Sequence, residues 1–124
     1  MARRIRIGLA IEYLSSYSGV CDAMKRRAVA LDAHAAAHVA ELFRAFSDGS
    51  RVQIVSALID GERNVSALAE LVGVSESGVS HHLRGLRQMR LVEGRRRGRQ
   101  VFYRMTDPHI VSLVRQGVAH VIED

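Results

Sequence analysis

The chain has 124 residues and a hydrophobic content of 48%, which suits one domain with a modest core and an oligomer interface. Its formal net charge is +5, and Lys25 is the only lysine, so nearly all of the positive charge is arginine. Arginine makes bidentate contacts to phosphate and guanine, so an arginine-based positive charge favours a nucleic-acid partner. Cys21 is the only cysteine, which excludes an intrachain disulfide and a cysteine-rich metal cluster.

Residues 1–30 differ from the rest of the chain and form a predicted N-terminal extension, followed by a main domain over residues 31–124. The opening resembles a signal peptide, but Arg6 and Glu12 interrupt its apolar stretch. A flexible tail, a short helix over residues 4–14 and a natural start at Met24 stay open. Because no stretch has the length of a transmembrane helix, we expect no membrane partner. A single cysteine is most simply explained by a location in a reducing cytoplasm.

Two helices are predicted next from the spacing of apolar residues. The first begins near Leu31, with Asp32 as its N-cap candidate. The second covers residues 50–59 and ends at Asp60-Gly61. The first helix carries two histidines one turn apart, His34 and His38. They are a candidate metal pair, although a solvent-facing or interface pair is favoured because no third donor is apparent nearby.

A helix-turn-helix is predicted from two short helices, over residues 65–71 and 75–89, joined by a turn at Gly73. Ser75 is the N-cap candidate of the second helix, whose first half is small and polar, as in helices that enter the major groove. An ordinary polar helix face is the alternative. Apolar residues of the second helix face inward at spacings of three and four: Val79, Leu83 and Leu86. Other faces are polar: Ser77, Ser80, His81, Arg84 and Arg87.

A basic β-hairpin is predicted after this helix. Leu91 and Val92 precede an arginine run that Gly98 closes, and an alternating apolar string follows. A solvated charged tip is one interpretation of the run. Beside a helix-turn-helix the hairpin becomes a wing, whose arginines would contact phosphates or a minor groove. The arginines at or near the turn are Arg95, Arg96, Arg97 and Arg99.

The last predicted helix carries four potential metal ligands, Asp107, His109, His120 and Glu123. Pro108 opens the helix and Asp107 is its N-cap candidate. His109 and His120 lie roughly 16 Å apart along the axis, so one ion cannot bond both. Two antiparallel copies of the helix would bring Asp107 and His109 of one chain to the other two donors of its partner. Two mixed nitrogen and oxygen sites per dimer would result, suited to tetrahedral Zn²⁺.

A purely structural interpretation of these four residues is also open. Asp107 would then be only a cap, the histidines half-buried interface residues and Glu123 a solvated terminal charge. One detail favours a cation: Glu123 lies at the C-terminus of the helix, where the macrodipole disfavours a carboxylate. A zinc hydrolase is disfavoured, because four protein donors would leave no open position for water.

Three segments together resemble the ArsR-SmtB family of bacterial metal-responsive repressors, with similarity from about Leu31 to Glu123. They are VSESGVSHHLRGLR, GRRRGRQVFYRM and DPHIVSLVRQGVAHVIE. The resemblance implies a mainly α fold with a small β-hairpin, a winged helix-turn-helix homodimer whose first and last helices form the interface. It further implies that the metal-free dimer binds double-stranded operator DNA and releases it on binding Zn²⁺, with Co²⁺ or Ni²⁺ as alternatives, and that the protein is not an enzyme.

Functional residues carry over onto matching positions. The resemblance implies DNA contacts from Ser77, Ser80 and His81, with His82 as a further candidate; Arg84 and the four wing arginines complete the predicted interface. All four metal ligands match in type and spacing. The second ring nitrogen of His120 would then donate to a backbone carbonyl near Arg90, coupling the metal to the recognition helix.

Two departures from the family pattern limit the prediction. Relatives with a thiol-rich site carry a cysteine motif where this chain has residues 62–66, so that site is absent and thiolate-based sensing of soft metals is disfavoured. Additional ligands from His34, His38 or Cys21 stay open. A metal-independent winged-helix regulator is the alternative function.

Overall fold

A computed structural model describes residues 30–123. The predicted short helix over residues 4–14, Cys21 and the Met24 start lie outside the described residues. The chain divides into two compact units. One contributes only residues 30–37 to the described range, and there the Asp32 Oδ1 accepts a 2.7 Å hydrogen bond from the Ala35 N–H, as expected of an N-cap. The other unit, His38–Glu123, contains the rest of the described fold.

Five helices and three strands are present within residues 30–123, so the prediction of a mainly α fold with a small β-hairpin is confirmed. The helices of the helix-turn-helix begin and end within one residue of the bounds predicted from apolar spacing. In chain order the elements are α1 (Ala33–Ala45), α2 (Gly49–Asp60), β1 (Arg63–Asn64), α3 (Val65–Val72), α4 (Glu76–Gln88), β2 (Val92–Arg97), β3 (Gln100–Met105) and α5 (Pro108–Ile122).

The strands form an antiparallel sheet in the order β1-β3-β2. The β2–β3 hairpin runs in register from Val92↔Met105 to Arg97↔Gln100. Its two-residue turn places Gly98 at a φ of 62°, which suits glycine at the first turn position. Strand β1 pairs Arg63 with Tyr103 and was not predicted, because a strand of two residues carries no alternation of its own.

One apolar core joins α2, α3, α4, the sheet and α5. The side chains of Ile54, Leu68 and Leu86 are fully buried, and each comes from a different helix. The predicted inward face of α4 is confirmed, since Val79 and Leu83 are also at most 1% exposed. This packing holds α4 and the hairpin on one scaffold. Within residues 30–123, no helix is both long and apolar enough to span a bilayer.

Candidate nucleic-acid interface and metal centre

The turn between α3 and α4 is fixed by backbone conformation and capping. Gly73 has a φ of 72°, in the left-handed region, and its N–H donates to the Ala69 carbonyl at 2.9 Å. The Ser75 hydroxyl then accepts a 3.1 Å hydrogen bond from the Gly78 N–H, so Ser75 is the N-cap of α4 as predicted. A Cβ on Gly78 would lie only 2.7 Å from the Val74 Cγ1, so the chain packs tightly where α4 begins.

Five predicted DNA contacts lie on α4, and four of them are exposed. Those four are Ser77, Ser80, His81 and Arg84. The fifth, His82, is half-buried, and its Nδ1 accepts a 3.1 Å hydrogen bond from the Arg51 Nε of α2. His82 therefore contacts α2 and helps to hold the recognition helix, a role that its position in the sequence did not indicate.

The N-terminus of α2 lies beside this contact. Asp48 caps the helix, since its Oδ1 accepts hydrogen bonds from the Ser50 N–H at 2.8 Å and the Arg51 N–H at 3.3 Å. The hydrogen bond from the Arg51 N–H is the main cause of the lowered pKa of Asp48, whose ordinary value is 3.8. Desolvation acts in the opposite direction and raises this pKa. Favourable charge interactions with His82 and the Arg51 guanidinium act in the same direction as the bond.

The four predicted wing arginines divide into two groups. Arg97 is paired: its Nη2 lies 2.8 Å from the Glu62 Oε2, and its Cζ lies 5.2 Å from the centre of the Phe102 ring. The other three, Arg95, Arg96 and Arg99, are exposed and form no ion pair with any residue in the range 30–123. Their guanidinium groups are therefore available to phosphates.

The segment 62–66, where the resemblance led us to look for a cysteine motif, makes structural contacts here. Glu62 pairs with Arg97, the last residue of β2 before the hairpin turn. The Arg63 Nε donates to the Ala57 carbonyl at 3.2 Å. The Asn64 Oδ1 caps α3 by accepting from the Ala67 N–H at 2.8 Å, and its Nδ2 donates to the Gln100 Oε1. These side chains connect α2, α3 and the wing.

The predicted metal ligands form two pairs at opposite ends of α5. At its start, the Asp107 Oδ1 accepts a 2.9 Å hydrogen bond from the His109 N–H and lies 3.2 Å from the His109 Nδ1. Asp107 is thus the N-cap that the sequence predicted, and the His109 side chain is 94% exposed. At the other end, His120 and Glu123 are exposed in the last turn and at the C-cap.

A single chain does not bring the two pairs together. Within the described residues, no three or more histidine, cysteine, aspartate or glutamate side chains are grouped so that they would hold a metal ion. His34 and His38 are exposed on α1, one turn apart, and belong to no such group. A site made from all four predicted ligands therefore requires a second chain.

The recognition helix and basic hairpin on one scaffold define a winged helix-turn-helix DNA-binding protein. Residues 48–94 match the model of the bacterial regulatory protein arsR family. A transcriptional repressor SmtB homolog from Synechocystis is 47% identical over 88 residues, covering 71% of this chain and 67% of that protein. The HTH-type transcriptional regulator NmtR of Mycobacterium tuberculosis is 40% identical over 95 residues, covering 77% and 79%. The chain belongs to the arsR family of transcriptional regulators.

A solved structure agrees with this fold. The homodimeric winged helix-turn-helix domain of a possible ArsR-family regulator from Mycobacterium bovis has a TM-score of 0.62 and 35% identity, covering 74% of this chain and 89% of that one. The resemblance and the fold predicted from the sequence are therefore confirmed. The expectation that the protein is not an enzyme is also confirmed, because the relatives are transcriptional regulators.

Proposed function

We propose that the protein is a metal-responsive repressor that binds operator DNA as a metal-free homodimer and releases it when Zn²⁺ binds between subunits. The observation that carries this proposal is the separation of Asp107 and His109 from His120 and Glu123 along one helix, with each pair accessible. Such half-sites are complementary only between two copies of α5. Co²⁺ and Ni²⁺ suit the same donors and are the alternative ligands.

Exposed apolar side chains on α1 and α5 support the homodimer. Val39 and Phe43 of α1 are 42% and 56% exposed, while Val121 and Ile122 of α5 are 57% and 70% exposed. Fully burying one such side chain contributes about 1.5–3 kcal/mol, so covering these residues with a second copy would stabilise an assembly. The similar domain from Mycobacterium bovis is homodimeric, which supports a homodimer here.

The donor chemistry fits a zinc ion. Asp107 uses its Oδ1 in the helix cap, and its Oδ2 makes no hydrogen bond within residues 30–123. One aspartate, one glutamate and two histidines give the mixed oxygen and nitrogen set that tetrahedral Zn²⁺ accepts. When bound, the ion supplies a positive charge that offsets the two carboxylates. It would also relieve the placement of Glu123 at the negative end of the helix dipole.

A short hydrogen-bonded connection links Asp107 to the recognition helix. Thr106, the residue before this ligand, donates from its Oγ1 to the Arg90 carbonyl at 2.9 Å and from its N–H to the Leu91 carbonyl at 3.1 Å. Arg90 follows the C-cap of α4 and has a φ of 59°, a conformation uncommon outside glycine. Displacement of Asp107 on ligation would therefore be transmitted directly to the end of α4.

His120 provides a second route for this coupling. Its second ring nitrogen was predicted to donate to a carbonyl near Arg90. The Arg90 carbonyl already accepts the Thr106 bond, but a carbonyl oxygen has two lone pairs and accommodates another donor. Either route requires only a coupling free energy of about 1–3 kcal/mol between metal and DNA.

For the DNA interface we assign base contacts to the exposed face of α4 and phosphate contacts to the unpaired wing arginines. Arg97 and His82 receive a positioning role instead, because both side chains bond to other elements of the fold. The assigned contacts are Ser77, Ser80, His81 and Arg84 on α4, and Arg95, Arg96 and Arg99 on the wing.

Mixed dimers test whether the site is shared. One subunit carries Asp107→Asn with His109→Ala, and the other carries His120→Ala with Glu123→Gln. In an intersubunit arrangement, each variant homodimer lacks half of both sites, whereas the mixed dimer retains one complete site. We expect tight binding of one Zn²⁺ per mixed dimer and none per variant homodimer. Absence of tight zinc binding by the mixed dimer, with two ions bound per wild-type dimer, would show that the sites are not shared.

A further inference from the structure

An open cleft of about 420 Å³ lies between the recognition helix and the wing. Four of its lining residues lie on α4, between Ser80 and Gln88, and the fifth is Tyr103 of β3. Every lining side chain offers a hydrogen-bond donor, and none is a carboxylate. The lining residues are Ser80, Arg84, Arg87, Gln88 and Tyr103.

No acidic side chain in the described part of the chain pairs with the arginines of this cleft. Within residues 30–123, neither Arg84 nor Arg87 forms an ion pair. On the opposite face of the hairpin, by contrast, Arg104 pairs with Glu93. Two unpaired guanidinium groups beside hydroxyl and amide donors attract an anion with several acceptor oxygens.

The backbone of the wing positions the tyrosine. Gly94 lies opposite Tyr103 in the β2–β3 register. A Cβ on Gly94 would be only 3.2 Å from the Tyr103 Cε1 and 3.0 Å from the Val101 Cγ1. The aromatic ring therefore lies across the strand where glycine leaves room for it. Its hydroxyl has no hydrogen-bond partner in the part of the chain that the structure describes, and so one donor of the cleft is unused.

We propose that this cleft binds a backbone phosphate of the operator, with Arg87, Gln88 and Tyr103 as DNA contacts beyond those the sequence indicated. The inference rests on the proposed DNA-binding function. Phosphate contacts fix the register of a protein on the duplex and carry no base information themselves. A contact from both α4 and the wing to one phosphate would hold the recognition helix and the hairpin at a fixed distance on the DNA.

The test measures operator affinity as a function of salt concentration for full-length protein without metal. Arg87→Ala is expected to weaken binding about tenfold, equally for operator and unrelated DNA. It should also reduce the slope of log K against log salt by about 0.9 for each phosphate that the variant no longer neutralises. Tyr103→Phe keeps the ring and removes only the hydroxyl, and we expect its affinity to fall by about 2- to 10-fold.

Arg104→Ala is the matched control, because it removes the same charge from the neighbouring position of β3, where the side chain pairs with Glu93. The proposal is overturned if Arg87→Ala and Arg104→Ala have the same salt slope and Tyr103→Phe binds like the wild type. It is also overturned if Arg87→Ala weakens the binding of inorganic phosphate to the DNA-free protein but leaves the operator affinity and its salt slope unchanged, since the cleft would then select a free anion. Failure of the wild type to bind any operator would instead refute the proposed function itself.

Discussion

Asp107 has two proposed roles, helix cap and metal ligand, and substitution separates them. Its Oδ1 accepts the 2.9 Å hydrogen bond from the His109 N–H at the start of α5. Asparagine caps a helix as well as aspartate does, whereas alanine at a cap costs about 1 kcal/mol. In the metal-free protein we therefore expect Asp107→Asn to unfold like the wild type, and Asp107→Ala to lose about 1 kcal/mol of unfolding free energy.

Zinc changes the comparison, because a ligand that binds only the native state adds to the unfolding free energy. At a free zinc concentration about 100 times the dissociation constant, the wild type should gain about 2.7 kcal/mol. Removal of a ligand should weaken zinc affinity by about 100-fold. This value is the upper end of the loss caused by removing a group that only hydrogen-bonds to a metal ligand. The gain for Asp107→Asn then falls to about 0.4 kcal/mol. Urea denaturation at one fixed protein concentration, with chelator and with zinc, measures these differences.

Asp48→Asn is the matched control, since it makes the same chemical change at the N-cap of a different helix, α2. It should retain the full zinc-dependent gain. If Asp107→Asn retains that gain as well, Asp107 is not a ligand and the structural interpretation of the α5 residues prevails. If Asp107→Ala without metal is as stable as the wild type, the capping argument fails instead.

Two further predictions concern stability. Gly73→Ala should lower the unfolding free energy by about 1 kcal/mol in urea denaturation, because the φ of 72° is unfavourable for a residue with a Cβ. Crowding is not the cause, since no atom of residues 30–123 beyond Gly73 and its chain neighbours lies within 4 Å of a Cβ placed there. Gly73→Asn should cost less, and equal costs would contradict this explanation. Because the pKa of Asp48 is lowered in the folded protein, its carboxylate stabilises the native state at pH values above 3.8, the ordinary pKa of aspartate. This contribution disappears as the pH falls through the lower pKa of the folded state. The stability advantage of the wild type over Asp48→Asn should therefore shrink in that acidic range, and parallel pH profiles would refute the assignment.

Local signals in the sequence predicted the elements well. Apolar spacing indicated the helices, while Gly73, Ser75 and Asp107 marked helix ends that the structure confirms. Each of these signals acts over a few residues, because a cap or a left-handed glycine is satisfied by its near neighbours. The alternating string in β3 likewise indicated the hairpin.

Contacts between distant residues were not predictable in this way. Arg97 belongs to the basic run of the hairpin, yet its partner Glu62 lies 35 residues earlier in the chain. His82 looks like part of the polar face of α4, but it bonds to Arg51, 31 residues away. Which arginine is paired and which is available depends on tertiary packing, and residue type alone does not encode it.

The most direct test of the proposed function is the operator affinity of the wild-type protein measured with a chelator and again with saturating zinc. A coupling free energy of about 1–3 kcal/mol predicts that zinc weakens operator binding by about 5- to 150-fold. His120→Ala should bind the operator equally well in both conditions. Equal affinity of the wild type with and without zinc would contradict metal-dependent release and favour a metal-independent winged-helix regulator.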